Sequence, residues 1–469
     1  MKAFSIKNQY NIFKHVTAVI TFAMVIIGLN LFALGNPTFI QCFLSSIILV
    51  LGFSPAFFYI LKNKHGIPFL PLFGVIYSIY YALPIFILEE YTLIHIPISA
   101  NSLVKVLSLA AIGLVMLLIA YYQIPGKSIG KVVPRISIYW NLQKAKFWAI
   151  VLGILGLIFS YLLSSAKIPV QLIQIVLFLS ELLLIAIGIL FILQLQGRLH
   201  KIGKILLWMV FVPAIFLIKI GSGSILHVLL VIIFLSLTYY CFSRKIPWKL
   251  VIGTVLLFIF FSSTKTEFRN SAWRGEYSYE NPIEKSILFT KMASPNREAF
   301  DKGFKVAANR IAHALFSFAY IVDLTPKAVP YWMGYSYSAL LWAPIPRVIY
   351  PWKPTITLGQ QFGHRYSFLN PIDYSTSWNL PQLVEMYANF GTIGVIIGMF
   401  IMGIIYRSLY EMFCHSRAGE GGLLIGLFIF TKLSLIEVDF VTVFGNIMRY
   451  IILFVIISKL MKDRSQRSA

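Results

Sequence analysis

Long apolar runs separated by short polar links dominate this chain. Many approach the length of about 20 residues that an α-helix needs to cross a bilayer. The runs lie at residues 16–35, 39–61, 67–88, 102–122, 146–163, 169–193, 203–220, 224–242, 246–264, 383–406, 421–436 and 441–459. The pattern predicts an all-α polytopic membrane protein with about twelve transmembrane helices.

The positions of lysine and arginine in the links predict the orientation of these helices. Positive residues concentrate in alternate links, at residues 2–14, 62–64, 127–146, 198–204, 244–249, 407–417 and 459–467. The short links on the other side hold only Lys167 and Lys219. Because short cytoplasmic loops retain positive charge, we predict a multi-pass protein of the bacterial cytoplasmic membrane with both termini in the cytoplasm.

Composition excludes two broad classes of protein. The chain is 58% hydrophobic and only 12% charged, whereas a soluble domain carries about a quarter charged residues. The formal net charge of +23 would suggest nucleic acid in a soluble protein. The cytoplasmic loops account for most of it here, so we predict no nucleic-acid partner.

One link is far longer than the others and divides the chain into three regions. Helices one to nine fall within residues 1–264, a large extracytoplasmic loop covers 265–380 between helices nine and ten, and 381–469 hold helices ten to twelve and a cytoplasmic tail. Loops of this length are usually functional or disordered. This one is rich in aromatic residues, which indicates folded chain, and we expect the chemistry to lie there.

Two segments of the loop carry candidate cations. Residues 304–322 have helical apolar spacing and place Arg310 and His313 on one face; the other reading is an interfacial helix whose Arg310 reaches the lipid surface. Residues 343–354 contain four prolines, which predict a stiff extended path holding Arg347 and Lys353 at a diphosphate. The alternative there is a rigid connector with its cations at lipid headgroups.

The last spans add further candidates. Glu385 falls in the first turn of the tenth span, as a general base or simply as a carboxylate favoured by the helix N-terminus. Gly394 and Gly398 predict close helix packing. Arg449 lies two turns into the last span and needs a partner, either a substrate phosphate or one of the acids Glu437 and Asp439.

Two of these motifs resemble a known family. The Pro-Arg-x-x-x-Pro-x-Lys-Pro segment at 346–354, followed by Glu385, Tyr387, Asn389-Phe390-Gly391 and Gly394, resembles the Wzy-type O-antigen polymerases, which join oligosaccharide repeat units. The motifs cover part of residues 346–394, and the first nine spans are similar only in character.

The resemblance implies an inverting, metal-independent glycosyltransferase with a GT-C-like architecture and no cofactor. Its substrate would be an undecaprenyl-diphosphate-linked glycan, and its partners a flippase and a Wzz-type chain-length regulator. Cations suit a leaving diphosphate, a carboxylate or imidazole suits a base, and aromatic rings suit sugars. The expected residues are Glu385 and His364 for catalysis, Arg347, Lys353, Arg310, Arg269, Arg274 and Arg449 for the diphosphate, and Trp352, Trp378 and Tyr387 for sugar.

Other functions fit the same sequence. An O-antigen ligase would use the same donor and pass the glycan to a lipid A core. A lipid-linked oligosaccharide flippase or other transporter needs polar groups near the bilayer midplane, and few are evident in the spans. A membrane scaffold without catalytic activity is the remaining alternative.

Overall fold

In the computed structural model, helices are the regular secondary structure of the described part of the chain, and no β-strand occurs there. The described residues are 19–61, 66–88, 98–165, 168–222, 225–273, 282–292, 297–343, 345, 347–354, 357–415 and 418–462. The helices before the long loop are α1 Val19–Leu31, α2 Phe39–Leu61, α3 Phe69–Tyr81, α4 Pro84–Ile87, α5 Ala100–Tyr122, α6 Ile124–Val132, α7 Leu142–Ser165, α8 Val170–Ser180, α9 Leu182–Leu195, α10 Lys201–Gly221, α11 Ile225–Ser243 and α12 Trp248–Trp273.

The remaining helices belong to the long loop and the C-terminal region. They are α13 Pro282–Met292, α14 Arg297–Leu324, α15 Tyr335–Ser338, α16 Leu358–Arg365, α17 Gln382–Leu409, α18 Gly419–Leu433 and α19 Phe440–Met461. A 3₁₀ turn at Ala339–Leu341 follows α15.

Within the described residues, eight helical stretches are long and apolar enough to cross a membrane, so the chain is a multi-pass membrane protein. They are Phe39–Leu61, Ala100–Tyr122, Leu142–Leu163, Gln171–Leu195, Lys201–Gly221, Ile225–Ser243, Gln382–Cys414 and Phe440–Met461. The other four predicted spans coincide with shorter apolar helices, namely α1, α3, the Trp248–Thr264 part of α12, and α18.

Backbone hydrogen bonds gather the positively charged links at one end of the bundle. Ile67 N–H donates to the Cys414 carbonyl at 3.3 Å, and Ile136 N–H donates to the Met412 carbonyl at 3.0 Å. Asn141 N–H reaches the Met461 carbonyl at 2.9 Å. The described residues at 67, 136–141, 412–414 and 461, which adjoin or belong to four of the positive links, therefore contact one another, and we call this end the basic end.

The long loop is largely helical and packs on the bundle. Helix α14 contacts α3, α5, α12 and α17. A methyl group added at Gly303 would lie 2.2 Å from the Ile259 carbonyl oxygen, so the backbones of α14 and α12 are in close contact. The observed helix begins seven residues before the predicted one, at Arg297.

Helix α17 is not the continuous span that its apolar pattern suggests. Phe390 (φ −140°, ψ 17°) and Gly391 (φ 64°, ψ −146°) leave the helical conformation. A methyl group added at Gly398 would lie 2.6 Å from the Met386 sulfur, a contact that a straight helix cannot make over twelve residues. Residues 382–389 thus form a short helix folded back on the rest of α17. The short helix packs against Gly394 and Gly398, where the absence of a side chain leaves room for it.

Candidate functional site

Two cations of the proline-rich segment, residues 343–354, bond to its own backbone. The guanidinium of Arg347 donates from Nη1 to the Lys353 carbonyl at 2.6 Å and from Nη2 to the Pro354 carbonyl at 3.2 Å. The ammonium of Lys353 donates to the carbonyls of Ala343 and Ile345, each at 3.0 Å. These bonds hold the segment in successive turns rather than in the extended path that its prolines predict; Pro344 and Pro346 lie outside the described residues.

Arg449 of α19 meets the same segment. Its Nη2 donates to the carbonyl of Ala343, and its Nη1 donates to Asn446 Oδ1 at 3.3 Å. A methyl group added at Gly445 would lie 2.8 Å from the Ala343 Cβ, so glycine there allows the close approach. Arg347, Lys353 and Arg449, which we call the cation cluster, thus surround one short stretch of backbone although about a hundred residues separate them in sequence.

The cation cluster concentrates positive charge at a site with limited access to solvent. Lys353 is only 3% exposed. Burial, and then the nearby charges of Arg449 and Arg347, lower the pKa of its ammonium to about 8. No carboxylate of the described residues forms an ion pair with Lys353 or Arg449. Such an arrangement attracts an anion, and phosphate oxygens suit both a guanidinium and an ammonium.

Glu385 lies in the first turn of α17, as predicted, but its carboxylate bonds to another helix. Its side chain is fully buried, and Oε2 accepts from the backbone N–H of Phe440, the first residue of α19, at 2.7 Å. An unpaired N–H at a helix N-terminus favours a negative charge. Glu385 therefore joins the short helix of α17 to the start of the helix that carries Arg449.

Asn389 fixes the loop that precedes the cation cluster. Its Oδ1 accepts from the Gly334 N–H at 2.9 Å, and its Nδ2 donates to the Ser336 hydroxyl and the Glu385 carbonyl, both at 2.8 Å. Asn389 is fully buried. The Asn-Phe-Gly motif is thus the place where α17 reverses and where the loop is attached. The sequence marks the motif but not this contact.

Arg310 forms an ion pair with Glu437, which the sequence analysis gave as a possible partner of Arg449. Its Nη2 lies 2.8 Å from Glu437 Oε2, and Asn379 donates to the same oxygen at 3.1 Å. The proposed pairing of Arg449 with Glu437 or Asp439 is therefore wrong, since Asp439 instead caps α19 by accepting from the Thr442 N–H at 2.8 Å. Arg310 stands apart from the cation cluster in its contacts.

The predicted sugar-binding aromatics lie in different surroundings. Trp352 is 84% exposed on the proline-rich segment. Trp378 stacks on Phe368 with 4.7 Å between ring centroids, and the His313 ring lies 5.0 Å from it. Tyr387 is buried, and its hydroxyl donates to the Thr325 carbonyl at 3.3 Å. Only Trp352 of the three offers an open ring face.

The other predicted site residues do not join the cation cluster. His364 is half-buried at the end of α16, with Nε2 3.0 Å from the Asp373 carbonyl, and it shares no hydrogen bond with Glu385. Arg269 belongs to α12, and Arg274 lies outside the described residues. Among the described residues, no three His, Cys, Asp or Glu side chains come together as a metal site, and the absence of a metal stays a prediction.

The sequence shows a second set of ionisable groups inside the spans but does not predict that they meet. Glu181, between α8 and α9, accepts from the Lys432 ammonium of α18 at 3.0 Å. That ammonium also lies 5.2 Å from the ring centroids of Phe428 and Tyr450. Lys219 and His227 are near enough to act on the charge of Glu181. Spans far apart in sequence supply these groups, so no local signal announced the cluster.

The comparisons with known proteins add a family but no activity. A family model described as a domain of unknown function, DUF8712, matches residues 98–464. No curated protein and no solved structure matches the chain.

Proposed function

The chain belongs to the DUF8712 family, and we propose that it polymerises undecaprenyl-diphosphate-linked oligosaccharide repeat units at the outer face of the bacterial cytoplasmic membrane. The observation that carries this proposal is the meeting of Lys353 and Arg449 at the Ala343 carbonyl, with Arg347 bonded to the carbonyl of Lys353 itself. These three cations come from two distant parts of a membrane protein. A lipid-linked diphosphate is an anion that resides in a membrane.

The proposed reaction is an inverting glycosyl transfer. A hydroxyl oxygen of the acceptor sugar forms a bond to the anomeric carbon of the donor glycan, and the bond from that carbon to the diphosphate oxygen breaks. The diphosphate leaves with the electron pair, and the proton of the hydroxyl passes to a base. Cations already in place where this negative charge develops stabilise the transition state.

The cation cluster keeps donors for such a leaving group. An ammonium has three N–H donors, and Lys353 uses two of them on carbonyls. Arg449 Nε is buried without a hydrogen-bond partner in the described structure. We assign these donors to the diphosphate.

The two candidate bases receive different roles. Glu385 is fully buried and bonded to the start of α19, which supports a positioning role that holds α19 and Arg449 in place. His364 is half-buried. With Nε2–H donated to the Asp373 carbonyl, its Nδ1 keeps the lone pair that a general base requires, so His364 is our candidate base on the chemistry of its ring alone, since none of its contacts links it to the cation cluster.

The full topology is part of the same proposal. Twelve spans with a GT-C-like outer loop would place the basic end in the cytoplasm and the cation cluster on the outer side, where flipped lipid-linked units arrive. The contacts among the positive links support this orientation. A flippase would supply the substrate, and a Wzz-type regulator would limit chain length.

Deletion of the gene, followed by complementation, tests the function. We expect the surface glycan of the deletion strain to collapse from a ladder to a single repeat unit on gels. Wild type and the control variant Lys327→Ala, which removes an exposed loop lysine, should restore the ladder. Arg449→Met should fail to restore it at an equal membrane level of protein, because the diphosphate loses a fixed cation.

Mass spectrometry of lipid-linked intermediates separates the alternatives. Full-length polymer that stays on the lipid carrier but is absent from its final acceptor would contradict a polymerase and indicate a ligase. Single repeat units that accumulate only on the cytoplasmic face would indicate a flippase. An unchanged ladder in the deletion strain would refute all three.

A further inference from the structure

The chain between α15 and Pro354 runs beside a membrane span rather than above it. The ring of Tyr337 lies 5.9 Å from that of Phe440, the first residue of α19. Six residues later Ala343 packs on Gly445 and accepts from Arg449. At about 1.5 Å of rise per residue, Gly445 lies roughly 8 Å along the helix from Phe440. The segment therefore follows α19 for about its first turn and a half, and the side chain of Arg449 reaches it from one turn further on.

Several polar groups of this segment's backbone have partners within the protein, as an environment without water requires. Irregular backbone is tolerated at membrane depth only where its polar groups find partners within the protein. Prolines at 351 and 354 carry no N–H group, which removes donors that would need partners. The carbonyls of Ala343, Ile345 and Lys353 accept from the cation cluster.

The outer face of the same segment is apolar and open. Leu341 is 79% exposed, Ile349 74% and Trp352 84%, whereas Lys353 beside them is 3% exposed. Exposed apolar groups of this density mark an interaction surface. Their continuity with α19, which is itself apolar and long enough to span the membrane, identifies the occupant as lipid.

We propose that residues 335–343, 345 and 347–354 form a re-entrant segment, which enters the apolar layer beside α19 and contacts lipid acyl chains through Leu341, Ile349 and Trp352. The cation cluster then lies on the protein side of this segment, below the membrane surface. This inference needs only the membrane location of the chain and does not depend on the glycan substrate.

Spin labels in lipid nanodiscs test the proposal. Single cysteines are placed at Leu341 and Ile349 in full-length protein whose Cys42, Cys241 and Cys414 are replaced by alanine, in discs of phosphatidylethanolamine and phosphatidylglycerol. Oxygen, which concentrates among acyl chains, and a water-soluble nickel chelate are the two relaxing agents. Size-exclusion profiles confirm that each labelled variant is folded.

Two matched controls calibrate the measurement. Ile452→Cys reports lipid contact, since Ile452 is 58% exposed on α19. Ile372→Cys reports water: Ile372 is 82% exposed beside Asp373, whose pKa is held below its usual range by bonds from Ser375 and Thr376. We expect the ratio of oxygen to nickel accessibility at Leu341 and Ile349 to match Ile452 and to exceed that of Ile372 at least severalfold. Ratios equal to that of Ile372 at both positions would overturn the proposal.

Gly445→Val provides a second test. The added side chain collides with Ala343 and should push the segment away from α19, so the label at Ile349 should lose oxygen accessibility while the label at Ile452 keeps it. Unchanged accessibility at Ile349 would contradict the packing of the segment along α19.

Discussion

At the scale of single residues, Lys353 shows how position changes the chemistry of a side chain. The sequence presents it as one of many loop cations. In the structure it is buried, bonded to two carbonyls and close to two arginines. Burial and the two nearby arginines disfavour the protonated ammonium. The pKa of Lys353 therefore reports on the state of the cation cluster.

Anion binding should depend on pH through this lysine. Its pKa falls from an ordinary value of about 10.4 to about 8, so the amine of the free protein loses its proton as pH rises through 8. An anion binds the protonated form. We expect the apparent Kd for farnesyl diphosphate, measured calorimetrically in detergent, to rise up to about tenfold per pH unit above 8.

The control for this pH profile is Lys353→Met. It should bind farnesyl diphosphate more weakly at pH 7 and lose the dependence near pH 8, while farnesol should bind neither protein measurably. A wild-type profile that is flat from pH 7 to 9.5 would show that Lys353 does not contact the anion.

At the scale of elements, the break in α17 organises the candidate site. The reversal at Phe390 and Gly391 lets the short helix face α19 with Glu385 and the preceding loop with Asn389. In a continuous helix, Glu385 would not reach α19 and Asn389 would not reach the loop. The conformation depends on Gly391, whose φ of 64° is one that other residues rarely adopt.

Gly391→Ala should therefore destabilise the protein. Besides the unfavourable φ, the new methyl group would lie 2.6 Å from the Tyr331 hydroxyl. We expect a loss of about 1–3 kcal/mol in unfolding free energy, seen as a lower Tm in detergent. Gly253→Ala is the matched control, because nothing lies within 4 Å of its added methyl and α12 is helical there; its Tm should not fall. Equal Tm values for both variants would contradict the strain.

At the scale of the whole molecule, an ion pair whose side chains are only 16–17% exposed joins helices that are far apart in sequence. The pair of Glu181 and Lys432 links the α8–α9 junction to α18. Most residues of α9 and of α18 are buried. Removing one partner of a largely buried pair leaves an uncompensated charge, which costs more than removing both.

Lys432→Met should lower the unfolding free energy by about 3–5 kcal/mol, and adding Glu181→Gln should recover part of that loss. A double-mutant cycle on thermal unfolding measures the coupling. The control is Arg198→Ala, which breaks a 3.7 Å contact to Glu420 from a half-exposed arginine and should cost less than about 1 kcal/mol. Additive losses for Glu181 and Lys432 would show that the pair is not coupled.

The sequence by itself determined the class of the protein, an all-helical multi-pass membrane protein. Crossing a bilayer requires about 20 apolar residues in succession, which hydropathy along the chain shows directly. Over the described residues each predicted apolar run coincides with a helix, and eight helical stretches there are long enough to cross. The sequence also marked Arg347, Lys353, Glu385 and Arg449, because charge and proline near a membrane are costly enough to stand out.

Only the tertiary structure decided which of these groups meet. Arg449 reaches the Ala343 carbonyl, Arg310 takes Glu437, and Glu385 holds the start of α19. Hydropathy indicates how deep in the membrane a residue lies. It does not show which side of its helix the residue is on, or which residue of another helix it contacts. The reversal at Gly391 was hidden for the same reason: an apolar run has the same pattern whether it continues through the membrane or folds back on itself.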